Sequence, residues 1–359
     1  MENSILADRI ERVLELARWY PSGDNCQPFR FRITKDRLQI FHSEVKARHI
    51  LNGQNHASCL SLGALLEYLV VAATDFDLEP VFELFESNFL STEELSLWAE
   101  VAFAERPLAS DPLVPLLSQR RTERRPFSGE IDLAKVHSVL EEGKKDHQEV
   151  DVHLLSSPSE EFKSHCVAGE TLMWCWPELN RAIFDWVCLK NPQCSEGMPF
   201  ATLGALISDY PLIYLLKNYP GTFGFFRSMG FYAVPKGRVK KTYDRGPAFF
   251  AVSTPELSSC NMIKVGQMSC RKWLRLQAEG YSVQPLTLPA LGPSFIDTAG
   301  LPVEVGEIVR QMQTSLNHLK QEFALKSQWQ LAWMFRVGKA KGKQPAPPSY
   351  RHSVKELLV

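Results

Sequence analysis

Four arginines crowd into eight residues at Arg120-Arg121-Thr122-Glu123-Arg124-Arg125-Pro126-Phe127, around one threonine and just ahead of an amphipathic helical pattern. Guanidiniums this close repel one another unless an anion sits among them, and their planar fork matches phosphate oxygens. The stretch reads as a phosphate clamp; the competing reading is a solvated basic turn. A second stretch tips the choice: Pro21-Ser22-Gly23-Asp24-Asn25-Cys26-Gln27-Pro28-Phe29. Its small, turn-forming residues let backbone approach a flat ligand and present N–H groups to it, with Gly23 expected to supply a positive φ.

These stretches need a frame, and hydrophobic periodicity supplies one. Residues 5–19 carry a helical stripe that Pro21 stops; 29–33 and 38–41 alternate as a strand pair; 57–73 is a helix apolar nearly all round, interrupted by Glu67. A turn and strand over 75–85, a Ser/Glu-containing stretch and a proline-bracketed linker over 106–112 follow. Asp132 opens a helix to about residue 142, with Leu133, Val136, Val139 and Leu140 inward, before a strand at 150–155. Residues 159–190 form one or two helices whose tryptophans serve either the core or a substrate cage. The Gly/Pro-punctuated segment 191–240 reads as irregular, either a lid or a buried connection. Pro247 to Ser253 is an apolar strand, 264–279 a helix, 280–286 a turn leading into a strand, 303–325 a long polar helix and 330–337 a final strand. The rest is a basic, proline-rich arm reaching Arg351.

The mixture is α+β. With 45% hydrophobic and 23% charged residues and a net charge of −1, the chain has the composition of a globular protein with no overall attraction for nucleic acid or acidic membranes. Its eight cysteines lack the spacing of a zinc site or a disulfide framework, which argues for a reducing compartment. The start shows no secretory signal, and the most apolar window, 60–73, is read as too short to cross a bilayer, so a cytoplasmic protein is expected. His42, His49 and His56 recur every seven residues but fall on a strand end and a loop, so no metal site is expected.

One order recurs: helix, short connection, strand, buried helix, strand. The two buried helices each carry a glycine near the start, Gly63 and Gly266. The first copy has the Pro-Ser-Gly-Asp-Asn loop but no arginine cluster; the second has the arginines, with Glu-Gly-Lys-Lys-Asp-His-Gln where the loop should stand. Each half holds half a site, so a division at 1–112 and 113–359 is expected.

That division resembles the FMN-dependent nitroreductase family, most of all its Acg-type branch, in which a single chain imitates the usual homodimer. Arg120-Arg121-Thr122-Glu123-Arg124 is similar to the family's phosphate motif, Arg351 to its C-terminal cationic grip, and Pro21 to Phe29 to the loop given by the partner subunit. The resemblance implies a nitroreductase-like fold with an added lid-like insert at 191–240. FMN would be held by Arg120, Arg121, Thr122, Arg124 and Arg351 at the phosphate, and by Pro21, Ser22, Gly23, Asn25, Ser282, Val283 and Gln284 around the ring. It further implies hydride transfer through flavin N5 from NADPH or NADH to a small organic acceptor, with no side chain required as general acid. The chain would act as a monomer or a homodimer. The alternative is a flavin-sequestering protein whose insert covers the site.

Overall fold

The computed structural model describes residues 2–127, 130–144, 148–244, 248–341 and 345–359. Pro247, read above as a strand residue, Lys145, Asp146 and His147 of the Glu-Gly-Lys-Lys-Asp-His-Gln stretch, and residues 342–344 of the basic arm lie outside the described residues. The chain opens with α1 (Glu2–Ala17), β1 (Phe29–Ile33), β2 (Arg37–Ser43), α2 (Glu44–Ala47), α3 (His56–Ala73), β3 (Leu78–Leu84) and β4 (Leu95–Glu105). Its four strands pair antiparallel in the order β1-β2-β4-β3. The longest of them, β4, occupies what the sequence presents as a Ser/Glu-containing stretch. A bulge puts both Trp98 and Ala99 inside, which breaks the two-residue alternation that marks a strand.

The chain continues with α4 (Leu133–Glu141), β5 (Asp151–Leu155), α5 (Glu160–Thr171), α6 (Pro177–Asp185), and the short parallel pair β6 (Val187–Cys188) and β7 (Met198–Pro199). Then come α7 (Tyr210–Asn218), α8 (Phe223–Ser228), α9 (Ala233–Asp244), β8 (Ala248–Thr254), α10 (Ser259–Ala278), β9 (Ser282–Pro285), α11 (Thr287–Phe295), α12 (Val303–Glu322), β10 (Gln330–Gly338) and α13 (Val354–Leu357). A second antiparallel sheet runs β5-β8-β10-β9. By rank along the chain both sheets follow the same order, first-second-fourth-third.

Two expectations change. The segment 191–240 is not irregular: α7, α8 and the start of α9 lie in it, and Pro211 and Pro220 mark helical starts. Leu133 points outward, 40% exposed, while Val136, Val139 and Leu140 are buried. Asp132 caps α4 by accepting from the Lys135 N–H at 3.0 Å, so Leu133 opens the first turn on its outer side.

The two sheets meet through α3 and α10. A Cβ on Gly63 would overlap the Ile263 carbonyl, and one on Gly266 would overlap the Leu60 carbonyl, each three residues before the opposite glycine. Only glycine lets the two backbones approach this closely. Around that contact Leu62, Leu65, Leu66 and Leu69 are buried, each contributing about 1.5–3 kcal/mol. Glu67, the polar interruption, pairs with Arg271 of α10. The span Gly53–Phe76 is, contrary to expectation, long and apolar enough to cross a membrane by length and composition, but 83% of its window is buried inside the protein. The eight cysteines are free thiols.

Two excursions leave these layers. The arginine stretch runs beside β9, where Thr122 bridges Val283 and the Glu123 N–H donates to the Val283 carbonyl at 3.0 Å. The C-terminal arm returns to the first sheet: Leu358 bridges Phe31, and the Val359 N–H donates to the Phe31 carbonyl at 2.8 Å.

Candidate functional site

The loop after α1, the arginine stretch and the C-terminal arm converge on one cavity of about 230 Å³. Arg120, Arg121, Thr122, Arg124, Arg351, Pro21, Ser22, Gly23 and Asn25 all line it. Ser282, Val283 and Gln284 do not line it. Their strand is engaged by β10 and by the backbone of the arginine stretch, and the Gln284 side chain accepts from Arg336. Pro285 and Thr287, just beyond, reach the cavity instead.

One end of the cavity is cationic and lacks counter-charge. Arg120 donates to the Tyr68 hydroxyl at 3.0 Å and lies 4.4 Å from the Trp273 ring centroid. Among the described residues the Arg121 side chain donates to the carbonyls of Ser118 and Arg120, at 2.7 and 2.9 Å, and to nothing else. Arg351, buried, donates to the carbonyls of Tyr20, Ser349 and Tyr350. No carboxylate pairs with any of these three among the described residues. Burial, then Arg120, holds the Arg351 guanidinium down to about 9, and the same two causes lower Arg121. Desolvated cations that repel one another are stabilised by an anion placed among them.

The loop that forms the opposite lip is built from left-handed residues. Asp24, Asn25 and Gln27 take φ of 47°, 60° and 48°, whereas Gly23 does not, contrary to expectation. Asn and Asp tolerate that region, so the glycine is free for another task. A Cβ at Gly23 would meet nothing within 4 Å, so this part of the lip is open. Asn25 ties the loop to the arm and to the segment before β7, donating to the carbonyls of Tyr350 and Gly197 at 3.0 and 2.9 Å. Gln27 does likewise, donating to the Ser195 carbonyl at 2.6 Å and accepting from the His352 N–H at 3.0 Å.

The cavity also holds Lys46, Met198 and Thr202, which the sequence did not single out, together with Asp24, His49 and Trp186, the last read from the sequence as core or substrate cage. Asp24 stood inside the recognised loop, and its carboxylate was the available signal. In the sequence His49 stands out only through its spacing to His42 and His56. Among the described residues no group of three His, Cys, Asp or Glu could hold a metal. His42 stacks on Trp98 at 3.9 Å, and His56 bonds the Leu257 carbonyl at 2.8 Å. Arg124 donates to the Thr202 carbonyl at 2.9 Å, away from the cation cluster. Burial lowers its pKa, opposed by Asp24 and Glu170.

No family model and no curated protein matches the chain. Among solved structures, a protein from Anabaena variabilis assigned as a nitroreductase superposes with a TM-score of 0.51 over 93% of this chain and 88% of its own, at 8% identity. The chain therefore has a nitroreductase-like fold of mixed helix and sheet. Further similar structures are an FMN-bound nitroreductase from Desulfitobacterium hafniense (TM-score 0.35, 9% identity, 66% of this chain and 93% of that one) and an FMN-dependent nitroreductase from Clostridium difficile (0.36, 12%, 67% and 97%).

Proposed function

We propose that this chain is an FMN-dependent oxidoreductase built as a single-chain pseudo-dimer of the Acg type, with 1–112 and 113–359 as its two halves. The observation that carries the reading is the cluster of Arg120, Arg121 and Arg351, three guanidiniums at one end of a cavity with no carboxylate among them. A phosphate dianion supplies the missing charge and accepts several N–H bonds at once. The rest of the cavity suits a flat ring, because Trp19, Trp186 and Trp333 line it. The pseudo-dimer reading draws support from the shared strand order and from the reciprocal contact of Gly63 and Gly266, since a two-fold relation makes every contact twice.

When bound, FMN supplies the hydride chemistry, taking hydride from NADPH or NADH and giving it to a small organic acceptor. The protein's part is to bind and orient. Arg120, Arg121 and Arg351 would hold the phosphate, with Thr122 as a hydroxyl donor. Pro21, Ser22, Gly23 and Asn25 would close one side of the ring. Ser282, Val283 and Gln284 would act from behind the wall by fixing the arginine stretch, and Arg124 would set positive potential at the far end. The reading takes the protein as cytoplasmic, acting on small molecules without nucleic acid or membrane, as a monomer or a homodimer.

A second reading, flavin sequestration, is favoured by the segment around residues 195–198. It is bonded to Asn25 and Gln27 and sets Met198 against the cavity, as a lid-like insert would. Anaerobic mixing separates the two: a yellow protein bleached by NADPH or NADH turns over, whereas one that stays yellow only binds. Flavin-stripped protein that fails to take up FMN in a fluorescence titration overturns both readings.

A further inference from the structure

Asp24 and His49 face the cavity yet take no part in the cation cluster. Asp24 is held with φ 47° and ψ 18°, in the left-handed region. His49 Nδ1 accepts from the Leu51 N–H at 3.1 Å, which leaves the ring proton on Nε2. That Nε2 stands 3.6 Å from Asp24 Oδ2 and is buried without a hydrogen-bond partner. Arg124 faces Asp24 from the arginine stretch. On Asp24's own loop lies the Cys26 thiol, pushed up to about 12 by burial, then by Asp24, with Glu196 adding to the shift. Glu196 is itself paired with Lys46 at 2.8 Å. Burial raises the Asp24 pKa, with His49 and Arg124 opposing. The carboxyl therefore keeps its proton to higher pH than a surface aspartate does.

We infer that Asp24, steadied by His49, is the proton donor to the acceptor reduced in this cavity. The inference rests on the FMN reading of the site. A quinone becomes a hydroquinone by gaining one hydride and one proton. The hydride derives from the nicotinamide donor by way of the flavin. For the proton, the Asp24 O–H bond breaks, an O–H bond forms on the acceptor's oxygen, and the carboxylate regains a proton from water through the cavity mouth. His49 is a positioning residue: its Nδ1 accepts from the Leu51 N–H, which fixes the ring so that Nε2–H is offered to the carboxylate as it forms.

The test is Asp24→Asn, which keeps the shape and can accept from His49 but releases no proton. FMN content and anaerobic bleaching by NADPH stay at wild-type levels, and reoxidation by a quinone falls about 100-fold. Reoxidation by ferricyanide, which takes electrons without a proton, is unchanged. In flavin-free protein, the wild-type-minus-variant infrared spectrum shows a protonated carboxyl band at a pH where surface aspartates are ionised, and His49→Gln shifts it. Unchanged quinone reoxidation, equal slowing with both acceptors, loss of FMN from the variant, or absence of the band overturns the inference. A wild type that binds no FMN overturns the FMN reading as well, and so is distinguishable from failure of the proton donor alone.

Discussion

The two ends of the arginine stretch solve the problem of a buried cation in opposite ways. At the later end Glu123 grips Arg125 with both oxygens, at 2.7 and 2.6 Å. Behind it, outside the cavity, Arg336 is fully buried and has no carboxylate among the described residues; it donates to Gln284 and to the carbonyls of Glu123 and Arg125, and lies 4.0 Å from the Phe127 centroid. At the earlier end Arg120 and Arg121, with Arg351 of the C-terminal arm, share carbonyls, a tyrosine hydroxyl and a tryptophan face, and among the described residues no carboxylate. Density of positive charge is therefore not the signature of an anion site. The difference lies in position: among the described residues Arg120, Arg121, Arg351 and Arg336 all lack a carboxylate, but only the first three face the cavity.

The sharpest break between the ends is Arg121→Ala. Its side chain is the least committed to the fold, so the flavin-free melting temperature holds or rises as a repelled charge leaves. FMN affinity falls about 100-fold, the scale of two charge-assisted hydrogen bonds. Fluorescence titration and thermal melts read both, and unaltered FMN affinity removes the cation cluster from the site. Glu123→Gln is the mirror experiment. It loosens the paired end and costs about 1–2 kcal/mol, discounted because Arg125 is 34% exposed. FMN affinity should change by less than about threefold, within the range of a second-order effect. If this variant loses FMN as Arg121→Ala does, the two ends are not functionally distinct.

Much of this contrast was legible in the sequence, because motifs and periodicities are local. The loop and the arginines stand out by residue type and spacing, Arg351 only through the family resemblance, α3 by its apolar run, and its likeness to α10 by the placement of Gly63 and Gly266. What escaped depends on partners far along the chain. The bulged β4 hid its alternation, and α11 carries Pro293 inside it. The helices of 191–240 were masked by prolines that open helical turns rather than end them. His49 was dismissed by its spacing to other histidines, yet its placement follows from the Leu51 turn and from Asp24, contacts that no spacing rule contains. Gly23 misled in the same way: the left-handed positions went to its neighbours.

The finest test of the comparison is a pH slope at Arg351. Its folded pKa is depressed to about 9, while the unfolded chain keeps the ordinary arginine value. Below about 9 both states are protonated, and the cost of burying the charge is present in full. As pH rises through that value the native state gives up a proton that the unfolded chain retains. The unfolded state then binds more protons, so flavin-free stability rises with pH. Arg336, depressed to about 10, contributes in the same direction, so the readout is the difference between wild type and Arg351→Met in urea melts from about pH 7 to about pH 10. The Met variant should lack part of the slope. Saturating phosphate should flatten the wild-type slope too, because an anion beside Arg351 restores its pKa. A slope indifferent to both substitution and phosphate would mean that Arg351 is already neutralised in the folded chain, and the earlier end of the stretch would be no different from the later one.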